Sequence, residues 1–399
     1  MKRRNFVGAV SGLGLAVAGA GLGMTSSLET AGAISSPGMR YRRLGRTGLK
    51  VSEIGLGGSP VPEEPVFNLA MERGVNYVDT SSSYMNGNSE RIIGRMIRGR
   101  RDRFIVATKF HPGRRHRTSA GLISEAEGSL QRLNTDYIDV LLVHGASDPD
   151  TPLADYVLKA FETLKNQGKI RFTGISCHHD PVRVLLPAIQ SGRYDMITVA
   201  YNAYSGTRVE AGRVYADYLK ESGVDTVLNA AKQGDLGVIA MKVMAGGDRQ
   251  ELSAFQTGGV SLPQAKIKWV LRDRRVSGII SEMSNFSMLE ENLAALGRPF
   301  SRREKDQLQR HVAEHSSAYC RMCGACAEVC PEAIRIPDIL RYGMYCIGYG
   351  KAQSARTAYR SLPERAKFTG CTQCGLCETS CPYGVAIRAN LKEAHRLLA

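Results

Sequence analysis

The chain of 399 residues is too long for one small core, and eight of its ten cysteines fall in a repeated spacing near the carboxyl end, so one large domain followed by a smaller cysteine-bearing module is expected. The formal net charge is +15, part of which anionic thiolate-held metal groups would return. The arginine runs at 98–103 and 114–117 carry no interleaved aromatic residues, which argues against nucleic acid as a partner and for a solvated basic surface.

At the amino terminus Lys2, Arg3, Arg4, Asn5 and Phe6 precede a weakly hydrophobic, glycine- and alanine-rich run from Val7 to Met24. This resembles a twin-arginine export signal, with the small-x-small site at Ala31-Gly32-Ala33 placing cleavage after Ala33 and Ala18–Ala20 as a weaker site. The run has too little leucine and isoleucine for a convincing permanent span; an uncleaved anchor is the alternative, and a chance Arg-Arg pair the bland one. Reduced thiolates threaded unfolded into an oxidising space would risk disulfides, so export of an already folded protein suits the cysteines. The expected location is periplasmic or otherwise exported, with the twin-arginine translocation machinery as a partner.

From Val51 to Ser281 short apolar runs alternate with longer amphipathic stretches, the pattern of parallel strands joined by helices. The runs are Val51–Leu56, Val75–Val78, Phe104–Thr108, Tyr137–Val143, Ile170–Ile175, Met196–Val199, Gly237–Met241 and Gly278–Ser281. Eight such units close naturally into an α/β fold of the (β/α)8 TIM-barrel kind over residues 34–299, with reactive groups at the carboxyl ends of the strands. No G-x-G-x-x-G follows any of the strands, which speaks against a Rossmann domain. Asp79 ends the second strand, Tyr84 lies in the loop beyond, Lys109 ends the third and His144 the fourth. Singly these read as a helix cap, a solvated charge and a core histidine; together they form a constellation that a barrel brings to one mouth.

These residues, with Tyr41-Arg42-Arg43-Leu44-Gly45, Gly55-Leu56-Gly57-Gly58, Ser89-Glu90, Tyr137-Ile138-Asp139 and Gly174-Ile175-Ser176, resemble the aldo-keto reductase family from about Tyr41 to Leu296. The resemblance implies hydride transfer between nicotinamide and a carbonyl or alcohol substrate. Tyr84 would be the proton donor, Lys109 would lower its pKa, Asp79 would hold the lysine, and His144 would orient the carbonyl oxygen. It also places Gly57, Ser176, Glu282 and Asn292 against the cofactor. The match departs at Cys177 for the usual asparagine, Thr198 for glutamine, Met241 for a stacking tyrosine, and Glu282 and Met288 for the phosphate-binding lysine and arginine. An anionic Glu282 would repel a 2′-phosphate, so NAD is expected over NADP if a dinucleotide binds at all.

Ser301-Arg302-Arg303-Glu304 has the form of a capping box, and a helix is expected from there toward His315. Residues 300–399 then carry C-x-x-C-x-x-C-x-x-x-C-P twice: Cys320, Cys323, Cys326 and Cys330 before Pro331, and Cys371, Cys374, Cys377 and Cys381 before Pro382. Such runs suit 4Fe-4S cubanes better than zinc or disulfides, and in two-cluster ferredoxins the fourth cysteine of each run reaches the other cluster. Cys320, Cys323, Cys326 and Cys381 are therefore expected on one cluster, and Cys371, Cys374, Cys377 and Cys330 on the other. Between the motifs Pro337 opens a helical pattern, Ala352 to Leu362 repeats at helical spacing, and Ile387, Leu391, Ala394 and Leu398 do so afterwards. The module thus resembles the alpha-helical ferredoxin domains of succinate dehydrogenase iron-sulfur subunits. Cys177 and Cys346 fall outside the spacing and read as small buried hydrophobes.

The first reading is an exported oxidoreductase with two clusters for electron transfer. The alternative is an electron-transfer or scaffold subunit whose barrel binds a partner or ligand without carbonyl chemistry. Nicotinamide delivers two electrons together and a cubane takes one, so a flavin, a redox partner protein or another carrier is expected to bridge them, unless the clusters are structural.

Overall fold

The structure is a computed structural model and describes residues 38–113, 116–210, 213–215, 223–245 and 259–399; the expected export signal lies outside the described residues. β1 (Tyr41–Arg43) and β2 (Lys50–Ser52) form an antiparallel hairpin whose Leu44, Leu49 and Val51 pack with Tyr77, Ile105, Val140, Leu142 and Met196 inside the barrel. The single strand expected at 51–56 therefore breaks in two. The corner falls at Glu53, a carboxylate only 1% exposed that accepts from Arg40 Nε at 2.9 Å and Arg42 Nε at 2.7 Å. A buried carboxylate needs such partners, and the sequence pattern cannot show where they come from.

The barrel strands are β3 (Ile54–Gly57), β4 (Tyr77–Asp79), β5 (Ile105–Phe110), β6 (Ile138–Ala146), β7 (Ile170–Cys177) and β8 (Met196–Ala200). After a small antiparallel pair, β9 (Arg208–Glu210) and β10 (Arg213–Tyr215), come β11 (Gly237–Met241) and β12 (Gly278–Ser281). The eight parallel strands close in the order β11-β12-β3-β4-β5-β6-β7-β8, leaving no free edge. Their helices are α1 (Glu64–Glu72), α2 (Asn88–Met96), α3 (Ser119–Leu133), α4 (Asp155–Asn166), α5 (Pro181–Gln190), α6 (Gly223–Gln233), α7 (Leu262–Leu271) and α8 (Phe286–Leu293). Strands dry on both faces read as unbroken apolar runs, which is why all eight were visible in the sequence. β6 runs to Ala146, past its expected end, with a register shift between Val143 and Ala146 where Gly145 takes φ +58°. Such a bulge re-aims the neighbouring side chain, here His144.

The capping box opens α9 (Arg302–Glu314): Glu304 N donates to Ser301 Oγ at 3.2 Å and Ser301 N to Glu304 Oε2 at 2.8 Å. Lys268 Nζ reaches Glu304 Oε1 at 2.6 Å, and Leu308 and Val312 join the barrel's outer core, so α9 packs onto α7. The terminal module is helical as expected, with α10 (Ala325–Glu328), α11 (Ile336–Ile347), α12 (Ala352–Arg360), α13 (Leu376–Thr379) and α14 (Ile387–Leu398). It has a core of its own, built on Ile336, Ile339, Tyr359, Ile387 and Leu391. No described helix is long and apolar enough to cross a membrane.

Candidate active site and cluster sites

The carboxyl ends of β4, β5 and β6 bring four of the expected residues together. Lys109 Nζ lies 2.5 Å from Asp79 Oδ1 and donates to Thr80 O at 2.6 Å, with both charged side chains almost fully buried. The same ammonium is 4.9 Å from the centroid of the Tyr84 ring. Tyr84 opens a 3-10 turn through Gly87 in which Met85 and Asn86 are left-handed, at φ 52° and 55°. Its ring meets that of His144 edge-on at 5.6 Å. His144 Nδ1 shares a 2.9 Å hydrogen bond with Ser81 Oγ, and the His111 ring, not singled out in the sequence, is 4.5 Å away. Ser89 and Glu90 serve behind the site: Ser89 Oγ donates to Gly58 O at 2.7 Å, and Glu90 accepts from Thr108 Oγ1 at 2.5 Å and Arg132 Nε at 2.6 Å.

The titration of this group differs from expectation. Burial raises the Tyr84 phenol well above its ordinary value, and the charges of Asp79 and Tyr345 push the same way. Lys109 was expected to lower it, but its ammonium is committed to the Asp79 carboxylate, a tertiary pairing that compensates the charge. Burial likewise raises Asp79 against the pull of Lys109. His144 is held far below the usual histidine range by burial, then by Lys109 and His111, so its imidazole is neutral.

All four residues line a cavity of about 570 Å³, within the range of small-molecule sites. The cavity continues past Ser176 and Thr198 to Gly57, Glu282, Met288 and Asn292, so the barrel also brings the expected cofactor residues to one space. One wall comes from the terminal module: Tyr345, Tyr349, Lys351 and Ser354, at the corner between α11 and α12. Lys242 Nζ, on the barrel side, donates to Tyr345 OH at 2.6 Å. Lys351 donates to Ser59 O and lies 4.0 Å from Glu282, so Glu282 does not stand as an uncompensated charge.

The cysteines form two sets drawn from both motifs. Cys320, Cys323, Cys326 and Cys381 line one small cavity. Cys330, Cys371, Cys374 and Cys377 line another. Each motif turns the same way: Met322 and Gln373 are left-handed at φ 57° and 59°, and Gly324 and Gly375 follow at 92° and 82°, where a side chain would be strained. Met322 N donates to Cys320 Sγ at 3.3 Å and Gln373 N to Cys371 Sγ at 3.4 Å. Among the described residues no His, Cys, Asp or Glu trio is placed to hold a single metal ion. Two four-cysteine sets, each lining one cavity and carrying matching backbone turns, fit a pair of cubanes.

Residues 59–313 match the model of the aldo/keto reductase family. The chain belongs to that family. Residues 319–386 match the 4Fe-4S dicluster domain, so this aldo/keto reductase is an oxidoreductase with a ferredoxin-type module. YqkF, an uncharacterized oxidoreductase of Bacillus subtilis, is 28% identical over 304 residues, spanning 69% of this chain and 97% of its own. An aldo-keto reductase from Klebsiella pneumoniae, solved in complex with NADPH, is 26% identical with a TM-score of 0.56, covering 68% of this chain and 95% of that one. A holo aldo-keto reductase from Bacillus halodurans, at 24% identity and a TM-score of 0.55 over 68% of this chain and 96% of its own, shares the fold.

Other cofactor-facing positions carry signals the sequence left unresolved. Ser176 Oγ is already engaged, accepting from Gly145 N at 2.8 Å and donating to Val143 O at 3.2 Å. Thr198 Oγ1 is buried without a partner, which suits a ligand amide. Asn292 Nδ2 donates to Ser281 Oγ at 2.9 Å and to Glu282 O at 3.1 Å, shaping the rim. Cys177 is 1% exposed, as expected of a small buried residue, whereas Cys346 is only half-buried. Sequence reasoning missed Lys242, His178, Tyr345 and Lys351. The first two directly follow or nearly follow positions already marked, Met241 and Ser176, at strand ends. The last two come from the module, and no local pattern points them at the barrel.

Proposed function

We propose that this aldo/keto reductase is exported by the twin-arginine pathway and interconverts a carbonyl and an alcohol at Tyr84, while its clusters carry electrons between that site and an external carrier. The observation that carries the reading is the buried Lys109–Asp79 pair beneath the Tyr84 ring, with a neutral His144 beside it in one cavity. The Tyr84 phenol is protonated at neutral pH, as a donor must be, and burial, which raises it, makes it a weaker acid than an ordinary tyrosine. Ser81 occupies His144 Nδ1 and leaves Nε2 to meet the carbonyl oxygen. Lys109, paired with Asp79, lies 4.9 Å from the ring centroid. A bound nicotinamide would supply the hydride; Ser176, Thr198, Glu282 and Asn292 would hold it. NAD should bind at least as well as NADP, because Glu282 and Met288 replace a phosphate clamp; a marked NADP preference in calorimetry would overturn this.

The electron route is supported by the loop after β7. His178 lines both the main cavity and a smaller one that Cys323 also lines, and Asp180 N donates to Met322 O at 2.6 Å. A flavin or another redox molecule in the mouth, or one on a partner, would split the electron pair. The alternative, a scaffold or electron-transfer subunit without carbonyl chemistry, is favoured by the engaged hydroxyl of Ser176.

Tyr84→Phe should lower carbonyl turnover by about a hundredfold or more with KM little changed. Full activity with every carbonyl tested would remove Tyr84 as the acid. Rapid mixing of reduced protein with substrate should change the cluster signals within turnover time; signals that stay constant while product forms would make the module structural. Arg3→Lys with Arg4→Lys should trap the protein in the cytoplasm, and unimpaired export would end the twin-arginine reading.

A further inference from the structure

The two cysteine motifs match in spacing and backbone turns but not in charge. Their second positions differ: Arg321 follows Cys320 where Thr372 follows Cys371. Among the described residues lining the cavity of Cys320, Cys323, Cys326 and Cys381, Arg321 is the one with a charged side chain apart from the cysteines. Its guanidinium is clamped by neutral groups. Nη1 donates to Ser316 O and Tyr319 O, and Nη2 to Ser316 Oγ and, at 2.9 Å, to Thr207 Oγ1. Three phenol rings surround it, with centroids 5.2 Å (Tyr383), 5.5 Å (Tyr204) and 6.0 Å (Tyr319) away. Its Nε is buried without a partner, and among the described residues no carboxylate pairs with the group.

The cavity of Cys330, Cys371, Cys374 and Cys377 is balanced instead. Its wall includes Arg388 and Glu332, and Arg388 Nε is exposed and donates to Glu378 Oε2 at 2.8 Å. The backbone bonds to sulfur, from Met322 N to Cys320 Sγ at 3.3 Å and from Gln373 N to Cys371 Sγ at 3.4 Å, are alike and do not distinguish the sets. Asp180 lies against Gly324 of the first set, but Arg183 Nε already holds it at 2.6 Å. A desolvated cation without a counter-ion is costly, and ring faces and neutral acceptors steady its charge without cancelling it. An arginine stays charged throughout the working pH range, so the missing anion has to come from what the cavity holds. A cubane on four thiolates is a net anion.

We propose that Arg321 is the built-in counter-charge of the cluster on Cys320, Cys323, Cys326 and Cys381, stabilising its reduced form and so drawing the electron shared by the two clusters toward the barrel. One electron from a one-electron carrier adds one negative charge to the cluster; no proton is taken up and no bond to the protein breaks. Attraction to a fixed guanidinium is greater in the more negative state, so Arg321 raises the reduction potential of this cluster above the value it would have without it. The effect is large where the surroundings are dry, whereas the exposed and paired Arg388 gives the other cluster little. The bias has a direction in the fold. His178 lines both the main cavity and the one that Arg321 and Cys323 line, so the favoured cluster is the one next to the barrel. The action of Arg321 on its cluster stands on the cysteine sets alone; its use in turnover rests on the electron route between the barrel and an external carrier.

The test is an anaerobic redox titration of the full, cluster-loaded chain with low-potential chemical reductants, followed by electron paramagnetic resonance. In Arg321→Gln one reduction step should move to lower potential by roughly tenfold or more in its equilibrium constant, about 59 mV for one electron, while the other step stays in place. Arg321→Lys keeps the charge and loses the fork of hydrogen bonds, so it should remain close to wild type. Thr207→Asp sets a carboxylate against the guanidinium and should lower the same step. If Arg321→Gln comes out poor in iron, Thr207→Asp decides the matter. The proposal is overturned if neither step moves in an iron-replete Arg321→Gln protein, if both move equally, or if Arg321→Lys falls as far as Arg321→Gln. Unmoved steps in Thr207→Asp, or wild-type clusters that accept no electron, overturn it as well. The titration uses no substrate, so cluster signals that stay constant during turnover would end the electron route while the titration still decides the role of Arg321.

Discussion

The barrel and the cluster module reach order by different means. In the barrel every strand is paired on both sides, and an extensive apolar core lies between sheet and helices. The site at its mouth is fixed by strands that would stand there without any cofactor. The module has a small core, two of whose members are the motif cysteines Cys326 and Cys377. Its α10 and α13 span four residues each, too short to persist by their own hydrogen bonds. The difference teaches that the group of Asp79, Tyr84, Lys109 and His144 is scaffold-borne, whereas the wall carrying Tyr345 and Lys351 sits on a module organised around its cysteines.

The largest effect should come from taking that away. Cys374→Ser with Cys377→Ser should cut iron from about eight to about four per chain or fewer and melt the module's helices. The barrel's cooperative unfolding transition should survive. Intact iron, or a barrel that unfolds with the module, would erase the contrast between the two regions.

Next is a change inside the barrel. Asp79→Asn leaves the Lys109 ammonium buried without its carboxylate, which should destabilise the barrel by about 3–5 kcal/mol in urea unfolding. Module helicity and iron content should be unchanged. A loss below about 1 kcal/mol, as for exposed pairs, would mean water reaches the pair.

A smaller effect lies at the seam. His311 on α9 is pushed down to about 3 by burial, then by Lys266 and His315. As pH falls, the unfolded chain takes up this proton near ~6.5 and the folded chain only much lower, so stability is complete above that pH and declines below it. Between pH 7 and pH 6 this histidine alone should account for roughly 0.7 kcal/mol, and His311→Asn should flatten the urea midpoint over that interval by that amount. An unchanged slope would place His311 in solvent.

The sequence by itself determined the barrel, because strands dry on both faces announce themselves as apolar runs whatever surrounds them. It pointed to two iron-sulfur clusters, because a repeated spacing with its proline admits few metal groups, and the likeness to two-cluster ferredoxins supplied the expected crossed sets. It also located Asp79, Tyr84, Lys109 and His144, which occupy successive strand ends or the loop just beyond. What it left to the tertiary structure were quantities set by neighbours distant in the chain. Glu53 turns the first strand because two arginines reach it, and burial raises the Tyr84 phenol that Lys109 was expected to lower. Glu282, repulsive as a lone carboxylate, has Lys351 beside it. Above all, Tyr345 stands 103 positions from Lys242 in the chain and 2.6 Å from it in the fold. Local periodicity records which face of a helix is dry, but not which domain that face will cover, and here the packing of α11 over the barrel mouth decided what the cavity can do.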